Sequence, residues 1–208
     1  IDRPVTALDL CAAPGGKSTT ARGVLPQGSL LICNEPIRQR AQILSENIQK
    51  YGHPDVMVTN NYPRDFRKAG LLFDLIVADV PCSGEGMFRK DAGAIAEWSR
   101  QNVENCYRLQ REIIEDIWPC LRPGGILFYS TCTFNEQENE DNIAWIRGLG
   151  ADVLDIDISE EWNITGALKG EDSLYRFIPG RSRSEGLCMA VLRKSDDTVL
   201  AERRAKDS

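Results

Sequence analysis

Two stretches of the chain place chemically capable residues at the ends of apolar runs. In Leu8–Thr20 (LDLCAAPGGKSTT) a strand-like run empties into a turn holding two glycines and a lysine. Gly16-Lys17-Ser18 resembles the end of a phosphate-binding loop, and Asp79, closing another apolar run, would be its magnesium-side acid. That pattern needs a glycine five residues before Gly16, where this chain has Cys11, and Pro14 removes an N–H donor from any phosphate cradle. The GxGxxG dinucleotide fingerprint is absent too. What remains is a turn that lets backbone approach a ligand at a helix N-terminus. Glu35, at the tip of the next apolar run, suits a ligand with free ribose hydroxyls and no phosphate requirement. S-adenosylmethionine is such a ligand; a P-loop-like NTPase is the alternative.

Seven cysteines stand at positions 11, 33, 82, 106, 120, 132 and 188, with no CxxC pair and His53 as the one histidine. Zinc-ligand spacing is therefore missing, no metal is expected, and free thiols point to a reducing compartment such as the cytoplasm. Most such thiols are small buried hydrophobes. Cys82, in ADVPCSG, and Cys132, in YSTCT, differ because each follows a strand end rather than lying inside a strand. Neighbouring parallel strands would bring them to one rim although they lie 50 positions apart (132 − 82).

The elements that must position these residues alternate. Strands are expected at Val5–Cys11, Ser29–Asn34, Asp55–Thr59, Phe73–Val80, Ile126–Cys132 and Leu187–Arg193, with Ala151–Ile158 as an edge strand. Helices are expected after Gly16, over Ile37–Tyr51, along a stripe of Val103, Cys106, Ile113, Ile117 and Leu121 that stops at Arg122-Pro123-Gly124-Gly125, and over Glu136–Leu149. Such alternation predicts a doubly wound, mostly parallel α/β sheet with ligands at the carboxyl ends of its strands.

With 208 residues, 42% hydrophobic and 27% charged, the chain suits one domain, and no apolar run reaches the roughly 20 residues of a bilayer crossing. Beginning at Ile1, it reads as a piece of a longer protein: a catalytic domain over 1–194 and a polar tail or linker over 195–208. The net charge of −6 argues against holding a polyanion by bulk charge. Residues 133–175 alone carry eleven acids and two bases, a net −9, leaving +3 elsewhere. That block reads as a solvated acidic face turned away from any nucleic acid.

Five motifs run in order through the chain: DLCAAPGGKS at Asp9–Ser18, then Glu35, DVPCSGEGMFRK at Asp79–Lys90, LRPGG at Leu121–Gly125 and STCTFNEQENE at Ser130–Glu140. In these the sequence resembles the Sun-type (NOL/NOP/Sun) RNA cytosine-5 methyltransferases, and GEGMFRKD most resembles their bacterial small-subunit ribosomal RNA branch. The resemblance implies a class I, Rossmann-like methyltransferase fold with an antiparallel last strand. It implies methyl transfer from S-adenosylmethionine to carbon 5 of a cytosine in RNA, with ribosomal RNA ahead of transfer RNA, by a monomer with neither membrane nor metal. Retention of both cysteines and Asp79 argues against a silent binding module.

The same resemblance implies residue roles. Cys132 attacks carbon 6 of the base, making carbon 5 nucleophilic, and Cys82 assists the later elimination. Asp79, kept neutral in a dry pocket, binds the base at ring nitrogen 3, and Lys17 positions it. Cys11, Ala12, Ala13, Pro14, Gly15, Gly16 and Lys17 surround the methionine end of the cofactor, Glu35 holds its ribose, and Tyr62 stands where many members have an adenine-binding aspartate. Lys17, Arg89 or Lys90 would favour a thiolate. Arg64, Arg67, Lys68, Arg89, Lys90, Arg181 and Arg183 are the candidate RNA contacts, with the target base turned out of its stack.

Overall fold

A computed structural model describes residues 1–196; of the expected tail, 197–208 lie outside the described residues. The eight strands make a mixed, mostly parallel sheet, as expected. Two compact units divide the chain, Ile1–Asp79 with Ile113–Leu127, and Val80–Glu112 with the rest from Phe128 onward.

The first unit holds β1 (Thr6–Asp9), α1 (Gly16–Val24), β2 (Leu30–Asn34), α2 (Arg38–Tyr51), β3 (Val56–Thr59), α3 (Pro63–Lys68) and β4 (Phe73–Asp79). Strand order is β3-β2-β1-β4, and β1 pairs in parallel with both β2 and β4. The strands are nearly all apolar because both faces are covered; Ala7, Leu8, Leu31 and Ile76 are fully buried. On α2 the buried positions Ala41, Leu44 and Ile48 follow helical spacing. The short α3 was not expected from the sequence; Pro63 opens it at a first-turn position that needs no N–H.

The second unit holds α4 (Ala92–Glu97), most of α5 (Arg100–Ile117), the end of β5 (Leu121–Thr131), α6 (Glu140–Gly148), β6 (Ala151–Leu154), β7 (Tyr175–Phe177) and β8 (Leu187–Lys194). Here β8 lies between β5 and β6 and runs antiparallel to β6 and β7, so the last long strand has the expected reversed sense and β6 is an edge. No helix among the described residues is long and apolar enough to cross a membrane.

Several boundaries differ from the sequence reading, β6 ending at Leu154 rather than Ile158 among them. Helix α5 ends at Ile117, before the Arg122–Gly125 breaker, because Trp118-Pro119-Cys120 forms a 3₁₀ turn and the residue before a proline avoids the helical region. Arg122-Pro123-Gly124-Gly125 belongs instead to β5, held by Arg122 Nη1 donating to Asp74 Oδ2 at 2.9 Å. A Cβ on Gly125 would meet the Arg122 carbonyl oxygen at 2.7 Å, so only glycine fits there. Helix α6 begins at Glu140 rather than Glu136, since Glu138 and Asn139 turn their side chains back to loop groups. β7 and α4 were missed because three and six residues are too short for a periodic signal.

Candidate active site

Within the first unit the turn after β1 is fastened on several sides. Ala12 N–H donates to the Asn34 carbonyl at 2.8 Å, Asn47 Nδ2 to the Pro14 carbonyl at 2.7 Å, and Arg40 Nη2 to the Ala13 carbonyl at 3.2 Å. Gly15 adopts φ +114°, and a Cβ there would press on Leu44 at 3.2 Å. These bonds hold Cys11–Gly16 as backbone, with α1 beginning at Gly16. The Cys11 thiol is pushed up to about 12, first by burial and then by the Glu35 carboxylate, so it packs as a neutral thiol.

Glu35 is 1% exposed. Its Oε1 accepts from Ile37 N–H at 3.0 Å, while Oε2 makes no hydrogen bond and has Arg40 Nη2 3.5 Å away. A buried carboxylate oxygen in that state is an acceptor waiting for donors. Beside it, Asn34 does work that the sequence reading missed. Its Nδ2 donates to the carbonyls of Leu10 and Asn61, and its Oδ1 accepts from Thr59 Oγ1 and Asn61 N–H, so one amide ties the carboxyl ends of β1, β2 and β3. An amide directly preceding the strand-tip acid was the available signal. Tyr62 is exposed and caps α3 through its N–H to Asp65 Oδ2 at 2.9 Å. Asn60 Nδ2 reaches the Glu35 carbonyl at 2.7 Å.

Lys17 Nζ donates to Asp79 Oδ2 at 2.8 Å. The expected dry pocket around Asp79 is not seen: its side chain is 28% exposed and ion-paired with Lys17. The buried acid is Asp9, raised from 3.8 to about 6, chiefly by burial, with Ser18 Oγ donating to its Oδ2 at 2.6 Å and pulling the other way. A raised carboxyl binds its proton more tightly when folded. Its stabilising contribution is therefore complete below about pH 4 and lost as pH rises toward 6. Asp9→Asn keeps an acceptor for Ser18 but cannot titrate. Its stability relative to the parent should improve by on the order of 2 kcal/mol between pH 4.5 and 7.5. Urea unfolding at both values measures this, and a difference independent of pH would contradict it.

Within the second unit Cys82 and Cys132 come together, Sγ to Sγ at 3.0 Å, both partly buried and neither in a disulfide. Cys132 N–H donates to Cys82 Sγ at 3.3 Å, and the Cys132 carbonyl accepts from Gly86 N–H at 2.7 Å. The Cys82 thiol is pushed far up, first by its hydrogen bond to Cys132 and then by burial, so Cys82 keeps its proton.

The loops carrying the two sulfurs are joined by a buried carboxylate. Glu138, fully buried, accepts from Ser83 N–H at 3.0 Å and Gln110 Nε2 at 2.7 Å on Oε2, and from Asn135 Nδ2 at 2.9 Å on Oε1. Gln110 Nε2 also donates to the Pro81 carbonyl, and Tyr129 OH to the Glu138 carbonyl. Glu85 adds a second anchor, Oε2 accepting from the N–H groups of Phe134 and Asn135. The acidic block is thus not wholly a solvated face. Glu138 and Glu140 point inward, and Glu140 pairs with buried Arg176 at 2.6 Å. A net count along the chain cannot separate such carboxylates from exposed ones.

The expected RNA-contacting bases divide. Arg89 and Lys90 both pair with Glu185, Lys68 lies 4.0 Å from Asp65, and Arg64 stacks over the Tyr62 ring at 5.1 Å. Arg181 and Arg183 are exposed with no ion pair among the described residues. No cluster of metal-ligating side chains occurs among the described residues.

The profile of the 16S rRNA methyltransferase RsmB/F family matches residues 3–193. Ribosomal RNA small subunit methyltransferase F of Pectobacterium atrosepticum is 34% identical over 197 residues, 93% of this chain and 40% of that protein. Its namesake from Escherichia coli O9:H4 is 34% identical over 194 residues, 92% of this chain and again 40% of its own length. Among solved structures, NSun6 from Pyrococcus horikoshii with SFG superposes with a TM-score of 0.79 at 29% identity, over 91% of this chain and 48% of that one. The chain therefore spans about two-fifths of the curated relatives it matches. On sequence, motif order and fold together, the chain belongs to the 16S rRNA methyltransferase RsmB/F family.

Proposed function

We propose that residues 1–194 form the catalytic domain of an S-adenosylmethionine-dependent methyltransferase acting on carbon 5 of a cytosine in small-subunit ribosomal RNA, through a covalent cysteine–base adduct. The observation that carries this reading is the 3.0 Å approach of two cysteine sulfurs, neither in a disulfide, from loops 50 residues apart. On the cofactor side, the unbonded Oε2 of Glu35 fits a ribose hydroxyl, and the Cys11–Gly16 backbone fits the methionine end. When bound, S-adenosylmethionine supplies the methyl group that carbon 5 of the adduct takes up.

The chain's own residues do the rest. Cys132, as thiolate, bonds to carbon 6, and the carbon 5–carbon 6 electron pair moves into the ring. A proton passed to ring nitrogen 3 at the hydrogen-bonded Lys17–Asp79 pair neutralises the charge that builds there. Loss of the carbon 5 proton to a base leaves the carbon 5–hydrogen electron pair to restore the ring double bond, nitrogen 3 gives its proton back, and the sulfur–carbon 6 bond breaks with its electron pair going to the Cys132 sulfur. Cys82, still protonated, donates to the departing sulfur and lowers the barrier to its release.

The full-length protein, tritiated S-adenosylmethionine and ribosomal or transfer RNA from cells lacking the protein test the reading. Label should enter 16S RNA and map by bisulfite sequencing to a cytosine. Label confined to transfer RNA would move the substrate assignment, and label in no RNA would overturn the function. Glu35→Ala should weaken S-adenosylmethionine binding in calorimetry about 10- to 100-fold, the scale of hydrogen bonds to a charged group.

A further inference from the structure

Away from the thiol pair, the second unit has an open cleft of about 610 Å³ whose lining includes Trp162, Asn163, Phe177, Arg181 and Arg183, with Glu161 as its one acid. Trp162 is 59% exposed, at the end of a 3₁₀ turn, and the next residue, Asn163, takes φ +52°. Left-handed backbone there ends the turn beside the indole, and asparagine tolerates it. Asn163 Nδ2 is used locally on the Glu161 carbonyl. The two arginines stand on a loop fixed by its own serines: Ser182 Oγ donates to the Ile178 carbonyl and Ser184 Oγ to the Phe177 carbonyl, while Arg181 N–H closes on Ile178.

Arg89 and Lys90 share the one carboxylate of Glu185 on the same loop, whereas Arg181 and Arg183 are left without a carboxylate partner among the described residues. An exposed aromatic plane beside two unneutralised guanidiniums is the combination that holds a single-stranded nucleotide, base on ring and phosphate on arginine. The loop also leads back to the thiols. Gly186, at φ +109°, packs on Gly86 so tightly that a Cβ would lie 2.8 Å from its Cα, and Gly86 N–H is bonded to the Cys132 carbonyl.

We propose that the Trp162–Arg181–Arg183 cleft is a subsite for an unpaired RNA nucleotide neighbouring the target cytidine, with Trp162 as its stacking platform. This rests on the RNA methyltransferase reading above. The subsite recognises a π-face and a phosphate, so it contributes affinity and strand path more than base identity.

The test uses the full-length protein and a single-stranded RNA oligonucleotide, with binding measured by anisotropy and methyl transfer measured separately. Trp162→Ala should weaken oligonucleotide binding and raise KM for RNA about 10-fold, within the range for losing one base–aromatic stack. Trp162→Phe should restore most of it, and KM for S-adenosylmethionine should not move. Arg181→Ser with Arg183→Ser should lower the salt slope of binding by about 1.4, two single-strand phosphate contacts. Circular dichroism controls for folding; these are exposed side chains. If the unaltered protein methylates RNA but all three variants bind and turn over like it, the subsite is wrong and the function stands. If the unaltered protein methylates no RNA, the function is wrong, and equal anisotropy for parent and Trp162→Ala rejects the subsite on its own evidence.

Discussion

Cys82→Ala incubated with S-adenosylmethionine and its RNA should yield a protein–RNA species that survives denaturing electrophoresis. Removing the Cys82 thiol takes away the hydrogen-bond partner 3.0 Å from Cys132 Sγ and leaves in place the sulfur proposed to attack. The adduct should form and be methylated at carbon 5, but without its proton donor the sulfur should leave so slowly that the adduct accumulates. Cys132→Ala and the double variant should give no such band. Cys132→Ala should also lose methyl transfer by about 10³-fold or more, as expected when a nucleophile that acts as one unit with its partners is deleted. Substantial turnover by Cys132→Ala would exclude the covalent route. A Cys82→Ala protein with normal turnover and no adduct would remove Cys82 from product release.

Arg176→Ala should be the most destabilising single change outside the thiol pair, by about 3–5 kcal/mol in urea unfolding. Arg176 is 1% exposed; its Nη2 donates to Glu140 Oε2 and the Phe134 carbonyl, and its Nη1 to the Gly166 carbonyl. Truncation leaves Glu140 buried and charged, with Leu168 N–H as its remaining listener at 2.7 Å. Replacing both partners with apolar residues of similar volume, Arg176→Met with Glu140→Leu, should recover much of the loss because no buried charge is stranded. A single variant within about 1 kcal/mol of the parent would mean that solvent reaches the pair.

How much of this was legible beforehand depends on range. Apolar runs such as Phe73–Asp79 and the stripe on α2 announce themselves, because burial imposes a period on neighbouring residues. The strand-end position of Cys82 and Cys132 was legible for the same reason. Gln110 and Glu138 were not: each is a polar residue with a partner 29 or 55 positions away, and nothing local distinguishes it from a surface polar residue. Asp79 was misjudged in its surroundings, since exposure and the Lys17 ion pair depend on how loops close. The end of α5 was misplaced because Pro119 acts on the turn before it, ahead of the more conspicuous Pro-Gly-Gly.

The Glu138 junction also bears on how sequences in this family can drift. Gln110 and Asn135 donate to this one carboxylate, and the side chains of Ser83, Tyr129 and Asn142 stand beside it, Ser83 Oγ 3.3 Å from Asn135 Nδ2, Tyr129 OH on the Glu138 carbonyl and Asn142 Nδ2 on Gln110 Oε1. Exchanging any one of them strands a buried donor or acceptor, whereas a concerted exchange need not. These positions, dispersed over sixty residues of chain, should therefore change together across relatives or not at all, a covariation that an alignment can reveal without a single mutant being made.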